Sequence, residues 1–454
     1  MNPSIHSKFN TLLSLLFCIA FAILIPANAL SADYYVATNG SDTNDGSSAN
    51  PWLTINKAAL TVTAGATVYV RSGTYNERIR PANSGTAGAP ITYQPDTGAT
   101  VVIDGYGIST TYAQTGQIDI LSKSYINIFG FSFVNCQATG IHLSSTNNIK
   151  IGNNTFNSDF GWCPILVYGG GDSDIEIYGN YIHRTFLAVT PNPYPWSSNG
   201  QPWAEAISVT RGTNISVHDN TIAYNQRGEG IDFKTGTNNS QIYNNTVMGC
   251  SSVAIYIDAR GFVTDIDIYQ NRVGPSPHVG IALSTEAFTD GGATIDRVNI
   301  FNNVISSCGQ RAMSIGGWGP SLNGNPGYVK NINVLNNTFY RNGTGTGSAI
   351  DINMANAWDS THPNVTVSNV VFRNNLISRD KVTVGSYGGG PGAPVVTVAD
   401  RNGFDSTTTY TIYGSNAVVG NPQFVDAASG DFRLLAGSVF INAGYVTPVN
   451  IGVP

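Results

Sequence analysis

From about residue 120 one phrase recurs along this chain: a strand opening on Ile, a short polar turn, a second strand, then an Asn followed by a small or β-branched residue. The strands open at Ile141, Ile165, Ile207, Ile231, Ile255, Ile281, Met313 and Ile350, and the second strands end at Asn154, Asn180, Asn220, Asn245, Asn271, Asn303, Asn337 and Asn375. Every opening therefore has its own Asn, with the tightest spacings at 25 and 26 residues and the rest lengthened by insertions. A period of about two dozen residues is too short for a propeller blade or a helical hairpin. It fits one turn of a parallel β-helix, whose coils bury their inward residues only by stacking on neighbours. The expected fold is all-β, a single β-helix over about residues 60–415.

Asn suits the corner because it tolerates a left-handed backbone and because stacked Asn side chains hydrogen-bond along a ladder. Asn-x-Thr matches such as Asn153-Asn154-Thr155 are then by-products of the ladder and not glycosylation sites. Cys136, Cys250 and Cys308 each lie five residues after their coil's corner position, Phe131, Asn245 and Asn303. Equal phase places them in one inward stack. Because Cys250 and Cys308 are two coils apart, at about 4.8 Å per coil, they are expected as buried thiols rather than a disulfide.

Composition bounds the partners. Charged residues make up only 11% and the formal net charge is -6, so the chain lacks the clustered Lys and Arg that nucleic acid or an anionic membrane would need. Residues 1–32 read as a secretory signal: Lys8, an apolar run from Leu12 to Ile25, Pro26, then small residues with cleavage after Ala29 or Ala32. The run of about 14 residues falls short of the roughly 20 that span a bilayer. A monomeric, secreted or periplasmic protein is expected, divided into an N-terminal cap and first coils at 33–115, a β-helix core at 116–415 and a closing segment at 416–454.

Ahead of the regular coils stand Tyr34-Tyr35-Val36, Asn39-Gly40-Ser41-Asp42, Pro51-Trp52-Leu53-Thr54-Ile55, a short helical Lys57-Ala58-Ala59-Leu60, and Val68-Tyr69-Val70-Arg71-Ser72-Gly73-Thr74-Tyr75. This opening resembles the N-terminal cap and first coil of right-handed β-helix proteins of the pectate-lyase-like superfamily, especially polysaccharide lyase family 9 and its relatives. The tail, Asn421-Pro422-Gln423-Phe424-Val425-Asp426 through Gly430-Asp431-Phe432-Arg433-Leu434 to Ile441-Asn442-Ala443-Gly444, is similar to their usual ending. The resemblance spans nearly the whole exported chain and implies a right-handed coil and an extracellular polysaccharide partner. It is weak for activity, because that superfamily holds lyases, hydrolases, epimerases and adhesive proteins.

Alternation along a strand sends the positions one and three after each Ile outward. Coil by coil these are His142 and Ser144, Leu166 and Tyr168, Ser208 and Thr210, Asp232 and Lys234, Tyr256 and Asp258, Ala282 and Ser284, Ser314 and Gly316, Asp351 and Asn353. The turns add Arg211, Arg260 and Glu286, while Glu205 and Glu229 occupy matching positions two before their Ile. In a chain with 22 Lys plus Arg and 28 Asp plus Glu, this gathering on the middle coils marks a candidate site, against the alternative of a solvated face of compensating ion pairs. The insertion before Ile207 carries Tyr194, Trp196 and Trp203 among prolines, and Trp318 sits between glycines. Flat aromatics of this kind suit sugar stacking or a packed cover.

Three functions stay open. β-Elimination of a uronate needs a base for the proton beside the carboxylate and a cation for the enolate-like intermediate. Lyases of the superfamily that this chain resembles use Lys or Arg as base and often Ca²⁺ as electrophile. That likeness makes Lys234 the candidate base, Arg260 a neutraliser or second basic group, and Ca²⁺ a candidate cofactor on Glu229, Asp232 and Asp258. Asp232 and Asp258 would otherwise hold Lys234 protonated, so the lyase reading implies a metal or carboxylates turned away. A glycoside hydrolase would use carboxylates instead, with Asp232 about 5 Å from Asp258 and about 10 Å from Glu286 if adjacent coils place them in line. In either enzyme Arg211, Tyr256, Trp196, Trp203 and Trp318 are the expected substrate contacts. The third function is non-catalytic adhesion along the ladder.

Overall fold

The structure is a computed structural model; it describes residues 32–108, 115–136, 139–157, 163–183, 205–225, 228–286, 292–317, 327–343, 350–354, 365–379, 396–405 and 415–444. The expected signal peptide, but for Ala32, lies outside the described residues, and no described helix is long and apolar enough to cross a membrane.

A single coil shows how the repeat closes. Ile231–Lys234 forms the first face, Asn238–Tyr243 the second and Thr246–Met248 the third. The next coil repeats this with Val253–Ala259, Phe262–Tyr269 and Arg272–Val273, in register as Ile231 on Ile255, Ile242 on Ile268 and Val247 on Val273. Twenty strands make up the first two faces and thirteen the third. Pairing between the named strands is parallel except in a C-terminal hairpin of Phe424–Asp426 and Asp431–Leu434. This is the parallel β-helix that the repeat predicts, right-handed as parallel crossovers are.

Alternation decides the core. Ile231, Phe233, Ile242 and Val247 point inward and are wholly buried, as are their counterparts in other coils, and one continuous core runs from Val36 to Phe404. Each buried Ile, Val or Phe contributes about 1.5–3 kcal/mol, realised only because coils above and below cover the open ends of each layer.

The Asn column is the hydrogen-bonded spine. In Asn154, Asn180, Asn220, Asn245, Asn271, Asn303, Asn337, Asn375 and Asn402 each side-chain oxygen accepts from the backbone N–H of the coil before it, as Asn271 Oδ1 does from Asn245 N at 3.0 Å. From Asn180 onward the same oxygen also accepts from the preceding Asn's Nδ2. The left-handed backbone sits one residue earlier, at Asn153, Gly179, Asp219, Asn244, Gln270, Asn302, Asn336, Asn374 and Arg401, all with positive φ. Sequence reasoning gave both jobs to one Asn. The structure divides them, because a side chain held in the buried ladder cannot also occupy the exposed bend.

Cys136, Cys163, Cys250 and Cys308 are buried free thiols. Two chain segments cover the coil. The helix Ile55–Thr61, capped by Thr54 Oγ1 accepting from Lys57 N at 3.0 Å, buries Ile55, Ala58 and Ala59. Ala32–Val36 is already a rung, paired with Ala66–Val70. At the other end Val418–Val419 still pairs with Gly403–Phe404, a few residues past the expected limit. The hairpin then doubles back on the third face: Arg272 donates to Gly430 O, and Phe424 and Phe432 pack edge-on against Tyr340.

Candidate active site

The first face carries the predicted charged residues, and register assigns each a place. Ser208, Asp232, Tyr256 and Ala282 form one outward column and Thr210, Lys234, Asp258 and Ser284 the next. Asp232 and Asp258 are therefore diagonal rather than stacked, which corrects the in-line spacing assumed for a carboxylate pair: the residue facing Asp232 is Tyr256, and the one facing Asp258 is Lys234.

Lys234 is the centre. Its Nζ lies 2.6 Å from Asp232 Oδ2, 3.0 Å from Asp258 Oδ2 and 3.1 Å from Glu205 Oε1. The lysine is 26% exposed, whereas Asp232 is fully buried and Glu205 and Asp258 nearly so. Glu229 joins them from the turn Gly228-Glu229-Gly230. Its carbonyl accepts from Ala206 N and Asn225 Nδ2, and its Oε1 accepts from Ser252 Oγ at 2.9 Å. Gly230 is required there, since a Cβ would fall 2.4 Å from Ala254 O.

Four carboxylates thus surround one ammonium, and the electrostatics follow. Burial, reinforced by Glu205, pushes the Glu229 carboxyl up to about 7 against the pull of Lys234. Burial and the neighbouring Asp258, Glu205 and Glu229 also push Asp232 up, with Lys234 opposing. Burial works against the Lys234 ammonium, but Asp232, Glu205 and Asp258 outweigh it and hold the lysine protonated. Among the described residues Glu205 Oε2, Asp258 Oδ1 and both Asp232 oxygens lack a hydrogen bond, the lysine standing close to Asp232 but out of line. Buried carboxylate oxygens without donors are costly and mark a site that takes protons or a cation.

Oxygens of Glu205, Glu229 and Asp232 lie within 4.8 Å of one another. Such a hard, oxygen-only set with orphaned atoms fits Ca²⁺. The sequence set of Glu229, Asp232 and Asp258 differs by one: Asp258 is not of this group, and Glu205 takes its place.

A second set adjoins the first. Arg260 Nη2 meets Glu286 Oε2 at 2.9 Å, and Tyr256 Oη donates to Glu286 Oε1 at 3.1 Å. Arg260 is thereby held on Glu286, with Asp258 also acting on its charge. Burial and Asp258 push the Glu286 carboxyl up, with Arg260 opposing. Arg211 is exposed at a left-handed corner beside Gly236, and the structure records no contact between it and the cluster. Trp196, Trp203 and Trp318 lie outside the described residues.

Sequence reasoning missed a further group on this face. Asp119 and His142 occupy the column of Asp232, and Arg80 precedes them, because Ile79 pairs with Ile118 just as the later coil openings pair. The signal was present in Glu77-Arg78-Ile79-Arg80 but lies upstream of the regular repeat.

The fold defines the class: this chain is a right-handed parallel β-helix protein. Within that class residues 34–162 match the Pel9A-like right-handed β-helix region and residues 116–289 the right-handed β-helix region. The chain is similar to the uncharacterized protein YwoF of Bacillus subtilis, 37% identical over 133 residues, which cover 27% of this chain and 28% of that protein. It is also similar to pectate lyase PEL9 of Emericella nidulans, 42% identical over 95 residues, 20% of this chain and 23% of that enzyme. The aligned part is thus about a quarter of each relative's length. The family 28 exopolygalacturonase of Yersinia enterocolitica superposes with a TM-score of 0.57 at 13% identity, over 89% of this chain and 79% of that one, a likeness of fold alone.

Proposed function

We propose that the protein is an exported enzyme that cleaves a uronate-containing polysaccharide by β-elimination on the first face. The observation that carries this reading is the surplus of buried carboxylates around Lys234, with Glu205, Glu229 and Asp232 arranged as a cation set and Lys234 at its edge, partly open to solvent. The similarity to a pectate lyase over 95 residues supports the same substrate class.

Glu205, Glu229 and Asp232 would hold Ca²⁺, whose charge would offset theirs and favour an enolate-like intermediate. With those carboxylates engaged, Lys234 would keep only Asp258 as an anionic neighbour and would release its proton more readily. Lys234 then accepts the proton on the carbon beside the uronate carboxylate. The electrons of that C–H bond form the ring double bond as the adjacent glycosidic C–O bond breaks, and the leaving oxygen takes up a proton. Arg260, fixed by Glu286, lies one coil on and would bind the substrate carboxylate.

A second reading, hydrolysis, is favoured by the burial of Glu229 beside Glu205, which pushes its carboxyl up to about 7, the range a general acid requires. One set of variants separates the readings on a panel of acidic and neutral polysaccharides. Under elimination, Lys234→Ala loses turnover by about 100-fold or more, and the wild-type product absorbs in the ultraviolet. Near-normal turnover in Lys234→Ala with a non-absorbing product would end the lyase reading and move catalysis to the carboxylates. Inactivity across the whole panel leaves adhesion.

A further inference from the structure

The group at Arg78, Arg80, Asp119 and His142 is built on the same face but plays no part in the chemistry above. Asp119 is buried, and each of its oxygens is engaged. Oδ1 accepts from Gly116 N at 2.6 Å and faces His142 Nδ1 at 3.3 Å, while Oδ2 meets Arg78 Nη2 at 2.5 Å and Arg80 Nε at 3.3 Å. The nearby Glu77 carboxylate is occupied elsewhere, accepting from Ile55 N and Asn56 N at the helix start. One carboxylate therefore serves two guanidinium groups. Arg78 takes the short contact and is mostly buried, and Arg80 is left with a long one and a side chain 54% exposed. No partner for the Nη1 and Nη2 atoms of Arg80 exists among the described residues. A cation fixed at its Nε, with its outer fork open, is preorganised for a planar anion.

Its position relative to Lys234 is set by register. Ile79, Ile118, Ile141, Ile165, Ile207 and Ile231 pair in succession, so the Arg80 rung lies five coils from that of Asp232 and Lys234, about 24 Å at the usual strand spacing. Beyond Asp119 and His142, the outward strand residues on the rungs between, Ser144, Leu166, Tyr168, Ser208 and Thr210, are uncharged; Tyr168 is 36% exposed, while Leu166 and Ser208 are buried. A cation separated from the acidic centre by the uncharged strand residues of the Ile165 and Ile207 rungs suits a long acidic chain held at two points.

We infer that Arg80, backed by Arg78 and Asp119, is a distal subsite for the carboxylate of a uronate residue several sugars away from the bond being cleaved. This rests on the reading of the first face as the site of an enzyme acting on an acidic polysaccharide. It adds a length requirement: the subsite serves polymers and long oligosaccharides, and a trisaccharide cannot reach it.

The test uses the full exported chain with polygalacturonate, or whichever uronate polymer of the panel it cleaves, and with the trisaccharide of the same polymer. Arg80→Gln should raise KM for the polymer about tenfold, the usual scale for one charged hydrogen-bonded contact. It should leave kcat, melting temperature and kcat/KM for the trisaccharide unchanged. Arg80→Lys, which keeps the charge, should recover part of the loss, and wild-type KM for the polymer should rise with salt more steeply than that of Arg80→Gln. Unchanged polymer KM in a well-folded Arg80→Gln overturns the subsite and leaves the enzyme reading standing, as does an equal loss on polymer and trisaccharide. If the wild type turns over no uronate polymer, the enzyme reading fails and the subsite falls with it.

Discussion

At the scale of single residues, what distinguishes this face is how few donors meet how many acids. A carboxyl held near 7 in the folded chain, against about 4.5 when exposed, is protonated in the native state over a range where the unfolded state has released its proton. Glu229 therefore subtracts stability as pH rises from about 4.5 to about 7, and Asp232, raised for the same reason, acts in the same direction. With chelator present, the melting temperature is expected to fall across this window, and Glu229→Gln should flatten the fall. Calcium should reverse it, because a cation bound only by the native state stabilises that state by mass action and binds best once the ligands are ionised. A melting curve indifferent to pH and to calcium would remove both the raised carboxyl and the metal from this site.

At the scale of the element, the corner is a pair of residues with separate physical tasks, and adjacent asparagines show it best. Asn302 has φ +57° and an exposed side chain, whereas Asn303 is buried, receives from Asn271 N and donates to Asn337 Oδ1 and Ile268 O. Asn302→Gly should change stability by no more than about 0.5 kcal/mol, since glycine accepts a left-handed backbone. Asn303→Ala removes several buried hydrogen bonds at once and should cost on the order of 2–4 kcal/mol. Urea denaturation of the two variants checks both numbers, and equal effects would mean that the ladder adds nothing beyond its bend. The same alternation that buries Ile231 and Phe233 delivers Asp232 and Lys234 to the outer face, so the outward direction of these two was legible as soon as the coils were aligned.

At the scale of the whole molecule, a solenoid must protect surfaces that its own repeat leaves uncovered. Here the C-terminal hairpin runs back along the third face, with Phe432 5.1 Å from the Tyr340 ring and 5.2 Å from Phe424, and Phe440 lies close against Gly403. Phe432→Ala should loosen this strap, exposing residues 424–444 to limited proteolysis while lowering global stability by about 1–3 kcal/mol. Mass spectrometry of the first cleavage products decides it. Initial cuts elsewhere, at an unchanged rate, would show that the strap is not held by this aromatic group.

The sequence by itself determined the coil, its inward Ile and Asn columns, the buried free thiols and the face on which charge collects, because each follows from local alternation repeated in phase. Tertiary structure decided everything that depends on register between coils or on distance across a turn. It brought Glu205 beside Glu229 and Asp232, and bound Arg260 to Glu286. It also extended the face upstream to Arg80 through the pairing of Ile79 with Ile118. The physical reason is that a strand's own sequence fixes which way a side chain points, whereas its partner depends on the strand stacked against it, and insertions of variable length conceal that stacking from a linear reading.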